Sequence, residues 1–407
     1  MAAREHGVLT LLTDLSVHWG DTQRQILALA RALREGGVFS PCVCCPHDAP
    51  LAEAVRQAMP SPATALPPLP LLPLPSTRPG SPRSLFRLWR RQTGQRPLLF
   101  HSFSETALQL GRHLARLRRA ENTLHLHSRH TPPVPSSRDL RLWRQADGIL
   151  CANAVIRNAL ATAGIAPEKL EVIHPALDTR TFPQQLPRHD GRFVFMTLEP
   201  LEEGGGVDIL LKAMAALWQR HDLPPWEVRV IGQGSRFAAL LEEARALGVD
   251  ARLALLGPQA LEEVLPPGDA MLTTCTLPQG NWRALAGAWS CGLPLICTAT
   301  SGNRELLGSN DAALTVPPGD PQALAAAMIR LMREDTLRAR LTAQGLGMRP
   351  QVDMARMTRQ YEHIYMRCAQ HKGWVLPTGG PRPDDKTARE DGGEHDDRPS
   401  APATFPQ

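Results

Sequence analysis

Three arginines in this 407-residue chain stand beside segments that open a helix or a glycine-rich turn. Arg283 follows Pro278-Gln279-Gly280-Asn281-Trp282, Arg304 stands in Ser301-Gly302-Asn303-Arg304-Glu305, and Arg236 comes soon after Gly232-Gln233-Gly234. A guanidinium is a rigid planar fork of donors that suits a phosphate, although a solvent-exposed arginine is the plainer reading of any one of them. The N–H groups of Asn281, Trp282 and Arg283 fall at a helix start, where backbone donors lack partners and the dipole favours an anion. Gln279 beside them can both donate and accept hydrogen bonds. Gly232 and Gly234 lie where a strand enters a turn before a helix, and such a turn can face a nucleotide. Gly20 lies at a similar strand-to-helix turn, where a glycine lets a ligand approach the backbone; the alternative is a plain helix start capped by Asp21. His127 ends an apolar run, with His125 alternating and His130 nearby.

These groups must be positioned by elements that alternate along the chain. Short β-rich runs at 8–12, 39–45, 97–100, 123–127, 147–152 and 170–173 predict strands. Between several of them, 23–34, 51–59, 106–119 and 155–163 have helical patterning, the first with Ile26, Leu27, Ala30 and Leu33 on one face. A second series starts at Gly191, with strands at 193–197, 227–231, 252–256, 270–274 and 295–298. Its helices are expected at 207–220, 237–247, 261–264 and 283–290, followed by amphipathic helices at 321–332 and 335–343 and a final one at 354–368. Such alternation implies parallel sheets wound on both faces.

Hydrophobic content of 43% is enough for two large cores, and a net charge of +5 is too small to demand an acidic partner. No basic–aromatic module appears, so no nucleic-acid partner is expected. No apolar run reaches the ~18 residues of a membrane span. The apolar start is short and carries Asp14, so it reads as a first strand and not as a signal peptide. The eight cysteines lack paired spacing and read as reduced thiols of a cytoplasmic protein. Cys42, Cys44 and His47 are not expected to hold a metal, because strand spacing sends neighbours to opposite faces. The proline-rich stretch 60–83 reads as an inserted loop with an extended part, or as a ligand for a proline-recognition module. Ser84-Leu85-Phe86-Arg87-Leu88-Trp89-Arg90-Arg91 reads either as a peripheral membrane contact or as an ordinary amphipathic helix.

Four ordered motifs carry a family resemblance. Gly20-Asp21-Thr22-Gln23-Arg24-Gln25 is similar to a GGTERQ loop, and residues 172–182 (VIHPALDTRTF) to an IPNGVDTERF hinge. Val230-Ile231-Gly232-Gln233-Gly234 is similar to IVGxGP. In the last segment Cys291-Gly292-Leu293-Pro294 is similar to ACGLPVV, and Gly302-Asn303-Arg304-Glu305 to a GGNxE loop. The chain resembles the retaining glycosyltransferases of GT-B fold often labelled family 4, or group 1, over about residues 7–370. The resemblance implies an α/β fold of two Rossmann-like domains facing across a cleft, with a C-terminal helix crossing back to the first domain. The expected divisions are 1–185 on the acceptor side, 186–352 for the nucleotide sugar, 353–373 for the crossover helix and 374–407 for a disordered tail. It also implies metal-independent hexosyl transfer, without a cofactor, from a nucleotide-diphosphate sugar to a glycan or lipid-linked acceptor of the cell envelope. His127, Gln279 and Glu305 take the catalytic positions. Gly20, Gly232, Gly234, Asn281, Trp282, Arg283, Gly302 and Arg304 take the donor-binding ones.

Beside Asp21 and Gln23 in the opening loop and Pro175-Ala176 for the hinge's Asn-Gly pair, the main departures from the family fall on the donor. The family's paired glutamates are Gln279 and Gly287 here. Its phosphate-binding Arg and Lys fall within Glu199-Pro200-Leu201-Glu202-Glu203-Gly204-Gly205, so three glutamates are expected to stand where cations would hold a diphosphate. Loss of one preorganised charge contact typically costs about 2.7–4 kcal/mol of barrier. A catalytically impaired relative, acting as a glycan- or nucleotide-binding module or as a partner subunit, is the alternative reading.

Overall fold

The computed structural model describes residues 8–17, 20–57, 68–75, 77–78, 81–91, 97–117, 122–131, 137–184 and 191–376. The expected features at 1–7, 58–67, 118–119, 185–190 and 377–407 lie outside the described residues.

The first half runs β1 (Val8–Thr13), α1 (Asp21–Gly36), β2 (Phe39–Pro46), α2 (Pro50–Gln57), β3 (Leu71–Leu74), α3 (Pro82–Arg91) and β4 (Leu98–Ser102). It continues through α4 (Glu105–Leu117), β5 (Thr123–Arg129), α5 (Ser137–Trp143), β6 (Gly148–Cys151), α6 (Ala154–Thr162) and β7 (Leu170–Val172). The seven strands form one parallel sheet in the order β3-β2-β1-β4-β5-β6-β7. The second half begins with β8 (Phe193–Leu198), α7 (Val207–Trp218), β9 (Trp226–Ile231), α8 (Phe237–Ala246), β10 (Leu253–Gly257) and α9 (Leu261–Val264). Then come β11 (Ala270–Thr273), α10 (Trp282–Cys291), β12 (Leu295–Thr298), α11 (Ser301–Leu307) and β13 (Leu314–Val316). Three helices close the chain: α12 (Pro321–Arg333), α13 (Asp335–Met348) and α14 (Met354–His371). The second sheet is also parallel, in the order β10-β9-β8-β11-β12-β13.

Parallel strands covered on both faces read as continuous apolar runs, and the two sheets comply. β1, for instance, is buried at every position except the half-buried Leu9. On one face of the first sheet, α1 packs Ile26, Leu29, Ala30 and Leu33 against residues of α14, among them Met357, Tyr361 and Tyr365. On the other, α3 and α4 bring Leu88, Ala107, Leu110 and Leu114 against Leu11 and Phe100.

α14 returns from the second half to the first. Its start is stitched to the hinge by Leu177 N–H donating to Val352 O at 3.0 Å and Met354 N–H donating to Leu177 O at 2.9 Å. Deeper in, Tyr365 hydroxyl lies 2.5 Å from His101 Nδ1, whose Nε2 lies 2.8 Å from Ser128 Oγ; Ser128 in turn reaches Tyr361 hydroxyl at 3.1 Å. Each aromatic side chain buried there contributes roughly 1.5–3 kcal/mol. The hydroxyls avoid a desolvation cost because each has a partner.

Three expectations need correction. The proline-rich stretch is not simply a loop: Leu71–Leu74 forms β3 at the sheet edge, a place that tolerates Pro73 because an edge strand has a free side. The tail does not start at 374, since Trp374 is 8% exposed and packs on the first core, with Leu376 partly buried beside it. The Ser301–Leu307 segment is a helix and not a loop, started by Thr300, whose hydroxyl accepts from Asn303 N–H. Among the described residues, no helix is long and apolar enough to cross a membrane.

Candidate active site

α10 is placed by its two ends. At the front, Asn281 Oδ1 accepts from Ala284 N–H at 3.2 Å. At the back, Gly292 adopts φ 76° and Leu293 N–H returns to Ala288 O at 2.9 Å, a left-handed stop that Pro294 then enforces. This stop is the physical content of the Cys291-Gly292-Leu293-Pro294 motif. Asn281 also donates through Nδ2 to Leu198 O at 2.5 Å and to Glu199 Oε2 at 3.0 Å, and its N–H donates to Asn303 Oδ1 at 2.9 Å. Asn281 therefore holds the loop together, and its N–H is not free for a ligand as expected. The N–H groups of Trp282 and Arg283 remain at the helix start.

Glu199 does not confront a donor. It is 1% exposed. Its Oε1 accepts from Thr273 Oγ1 at 2.7 Å, Thr274 N–H at 2.7 Å and Cys275 N–H at 3.2 Å. Burial pushes its pKa up to about 7, against the pull of those donors and of Asn281. Glu202 serves the next turn, accepting from Ser235 N–H at 2.6 Å and Ser235 Oγ at 2.5 Å. Those hydrogen bonds hold its carboxyl below the ordinary range. Two of the three glutamates thus accept from the chain's own backbone donors. The third, Glu203, lines a cavity of ≈ 520 Å³ with Gly204, Gly206, Asp208, Ile209, Arg236 and Thr276.

The glycines of the site meet backbone. A Cβ on Gly232 would lie 1.9 Å from Glu199 O, one on Gly234 2.2 Å from Leu201 O, and one on Gly302 2.0 Å from Gln279 O. No side chain fits at those distances. These residues are glycine because loop 232–236 closes on loop 199–206 and the start of α11 closes on loop 278–280. At Gly232, Gly234 and Gly302 close approach of another main chain is by itself enough to require glycine. Gly20 has φ −163° and is 3.5 Å by its virtual Cβ from Gln23 Oε1, so neither strain nor crowding requires glycine there. Gly287 is buried inside α10, where a Cβ would press Leu265 Cδ1 at 2.9 Å.

Arg283 turns away from the cavity. Its Nε lies 3.3 Å from Asp21 Oδ1 on α1, close enough for attraction but without hydrogen-bond alignment. It joins the two halves and lines a second cavity, of ≈ 460 Å³, between α1, the hinge, α9 and the start of α14. Arg236 faces Asp208 at 3.8 Å. Arg304 is exposed. Gln279 is half-buried beside Gly302, on the loop whose Pro278 O accepts from Gly302 N–H at 2.8 Å. Glu305 crosses to the first half: its two oxygens accept from Ala154 N–H at 2.9 and 2.8 Å, at the start of α6, and Oε1 lies 2.8 Å from His174 Nε2. A carboxylate there complements the orphan donor and the helix dipole.

His127 is 1% exposed at the end of β5. Its Nδ1 lies 3.1 Å from both Ser102 Oγ and Ser102 O, and its Nε2 is 3.7 Å from Glu105 Oε1. Burial works against a charged Glu105, but His127, Trp143 and Arg129 outweigh it and hold its pKa down to about 2. Burial, with the neighbouring His127, pushes His125 down to about 3 and His130 to about 4. Sequence reasoning overlooked Ser102 and Glu105 as partners of His127. Their one signal is position, at the end of the neighbouring strand β4 and at the start of α4. Among the described residues no group of His, Cys, Asp and Glu has metal-binding geometry.

Two Rossmann-like halves whose loops meet across a cleft, tied by a returning helix, define the GT-B class. Residues 178–347 match the family described as glycosyl transferases group 1, and residues 22–181 match Glycosyltransferase Family 4. The chain resembles the GT-B glycosyltransferases of family 4, group 1. It is 27% identical over 201 residues to the amylovoran biosynthesis glycosyltransferase AmsK of Erwinia amylovora, 47% of this chain and 49% of that one. It is 29% identical over 136 residues to the exopolysaccharide phosphotransferase SCO2592 of Streptomyces coelicolor, 32% of this chain and 14% of that one. The chain therefore spans about half or less of the length of these relatives. Anabaena Alr3699/HepE, solved in complex with UDP and glucose, superposes with a TM-score of 0.72 at 19% identity, covering 88% of this chain and 100% of that one.

Proposed function

We propose that this chain transfers a sugar, with retention, from a nucleotide-diphosphate sugar to a glycan or lipid-linked acceptor of the cell envelope. The observation that carries the reading is the ≈ 520 Å³ cavity at the loops after β8, β9 and β11. Ligands of open parallel sheets bind outside the carboxyl ends of strands. Similarity to AmsK and to a UDP-binding GT-B protein supports the donor class and the envelope setting.

Retention requires stabilising an oxocarbenium-like carbon and a departing diphosphate. The dissociating charge falls to the N–H groups of Trp282 and Arg283 at the start of α10, to Arg236 on the cavity wall and to the exposed Arg304. Gln279 takes a sugar hydroxyl, and His127, whose Nε2 lies 3.7 Å from Glu105 without a hydrogen bond, is assigned to the acceptor hydroxyl. Glu305 orients the sugar once it leaves Ala154 and His174. The reaction so drawn needs no metal.

Titration with UDP, GDP and their sugars tests the reading, with the product anomer read by NMR. Saturable binding, and transfer abolished in Arg304→Ala, is the expected result. No binding at millimolar nucleotide together with no donor hydrolysis would sink it. A specific observation favours a second reading in that event: Glu199 and Glu202 already occupy backbone donors beside the cavity. The chain would then be a donor-impaired subunit that binds glycan or a partner transferase.

A further inference from the structure

Positive charge is concentrated in one stretch of the first half. Residues 82–117, which hold α3, β4 and α4, carry seven arginines, no lysine and a single carboxylate, whereas the whole chain has a net charge of +5. That carboxylate, Glu105, is engaged by Arg129 and Trp143 at the start of α4 and faces His127, so it does not neutralise the outer surface. α3 turns Leu85 and Leu88 inward onto the cluster with Leu110 and Leu114. Its opposite side leaves Arg83, Phe86, Arg87 and Arg90 exposed. Phe86 is 57% exposed. Helical spacing places Arg83, three before, and Arg90, four after, on the same face as Phe86, with Arg87 one position round the helix. α4, packed alongside, adds the exposed Arg116 and the half-buried Arg112.

A helix that only needs solubility mixes both signs of charge, and α3 carries no acid at all. A polyanion such as nucleic acid would satisfy the arginines but would gain nothing from a central phenyl ring held off the core. A lipid surface uses both features. We propose that the exposed side of α3 is this chain's contact with an anionic bilayer: Arg83, Arg87 and Arg90 meet lipid phosphates, and Phe86 enters the boundary between headgroups and acyl chains. The inference adds the membrane side of the proposed acceptor and rests on that reading only there. α4 links the two, since it begins at Glu105 beside His127 and carries Arg112 and Arg116 away from the cleft, about 1.5 Å further per residue. A lipid-linked acceptor is thereby presented to the cleft from the surface that binds its bilayer.

The test is flotation of the full chain with vesicles of phosphatidylcholine alone or mixed with phosphatidylglycerol, which reads lipid binding independently of nucleotide titration. Binding to the anionic vesicles only, weakened by salt, is expected. Each of Arg83→Ser and Arg90→Ser should lower the partition constant about fivefold, and the pair about thirtyfold. Phe86→Ser should lower it further at high salt, where charge is screened. All three positions are exposed, and Arg87 is spared because it also holds Pro73 O. Equal binding to neutral vesicles, or unchanged binding in the double variant, overturns the proposal. So does a Phe86→Ser variant that binds vesicles like the wild type while both bind a soluble polyanion as tightly. A chain that floats but binds no nucleotide leaves the lipid contact standing and removes the transferase reading.

Discussion

Replacing Glu199 by glutamine should remove a pH dependence from the stability of the second domain. In the folded chain burial lifts this carboxyl from 4.5 to about 7. In the unfolded chain it returns to the ordinary value. Between those two values the folded state keeps a proton that the unfolded state has lost, so stability falls as pH rises through the window. Below it both states are protonated, and above it neither is, so the loss is complete at about pH 7. At about 1.36 kcal/mol per pH unit, the difference comes to about 3 kcal/mol. In Glu199→Gln the amide oxygen still accepts from Thr273, Thr274 and Cys275. Its NH2, however, turns toward Asn281 Nδ2, and Asn281 cannot flip because its Oδ1 caps Ala284 N–H. That mismatch costs about 1–3 kcal/mol at every pH. Denaturant unfolding followed through Trp289, fully buried in the same domain, separates the two effects when run near pH 5 and near pH 8. The variant should be less stable than the wild type by about 1–3 kcal/mol near pH 5, as stable or more so near pH 8, and therefore flatter between the two conditions. Parallel pH profiles for wild type and variant would refute the assignment of a folded-state proton to Glu199.

Gly205→Ala places a Cβ 2.0 Å from Pro200 O, so the backbone must move. A loss of about 1–3 kcal/mol should appear as a lowered Tm, and installing lysine there to restore a phosphate contact should fail for the same reason. Tyr365→Phe leaves His101 Nδ1 without its partner at 2.5 Å, which should cost about 1–3 kcal/mol in unfolding experiments and loosen α14. Glu305→Ala removes the acceptor of Ala154 N–H and the partner of His174. Amide exchange at Ala154 should quicken by about tenfold if this carboxylate holds the halves together, and unchanged exchange would show that it does not.

Fold class was legible in the sequence because burial on both faces imposes a pattern that survives substitution. The runs at 8–12 and 270–274 are apolar for the same reason, namely helices above and below each parallel sheet. β3 escaped detection because Leu71-Leu72-Pro73-Leu74 contains a proline, which is compatible with a strand only at an edge, and edge position is a tertiary fact. α11 was hidden for another reason. Its Gly302 reads as a loop residue, yet the glycine is needed where the helix touches Gln279 O, and Thr300 supplies the cap. The positions of Arg283 and Glu305 were readable, but their partners were not. Asp21 and Ala154 come from the other half of the chain, and no local pattern announces a contact across 151 residues.

The candidate site exposes a limit on what glycine-rich motifs can signify. Gly232, Gly234 and Gly302 stand where related loops would suggest a backbone opened for a ligand. In this chain a Cβ at each would strike another main-chain oxygen, at 1.9, 2.2 and 2.0 Å. The same glycine therefore answers two demands, space for a ligand or space for a neighbouring loop, and the sequence pattern is identical in both. Charge follows the same logic. A glutamate in a phosphate loop predicts repulsion only if it faces the ligand. Glu199 instead accepts from the amides of Thr274 and Cys275 and keeps their dipoles satisfied without a bound anion. In the proposed reading a donor at the adjoining cavity is held by Arg236, which lines it, with α10's N-terminal amides and Arg304 assigned to the same diphosphate. If that is so, charge removal at Arg304 should weaken nucleotide binding while leaving Tm unchanged, because this exposed side chain supports no packing. An equal loss of stability and affinity would place Arg304 among the structural residues and transfer the donor grip elsewhere.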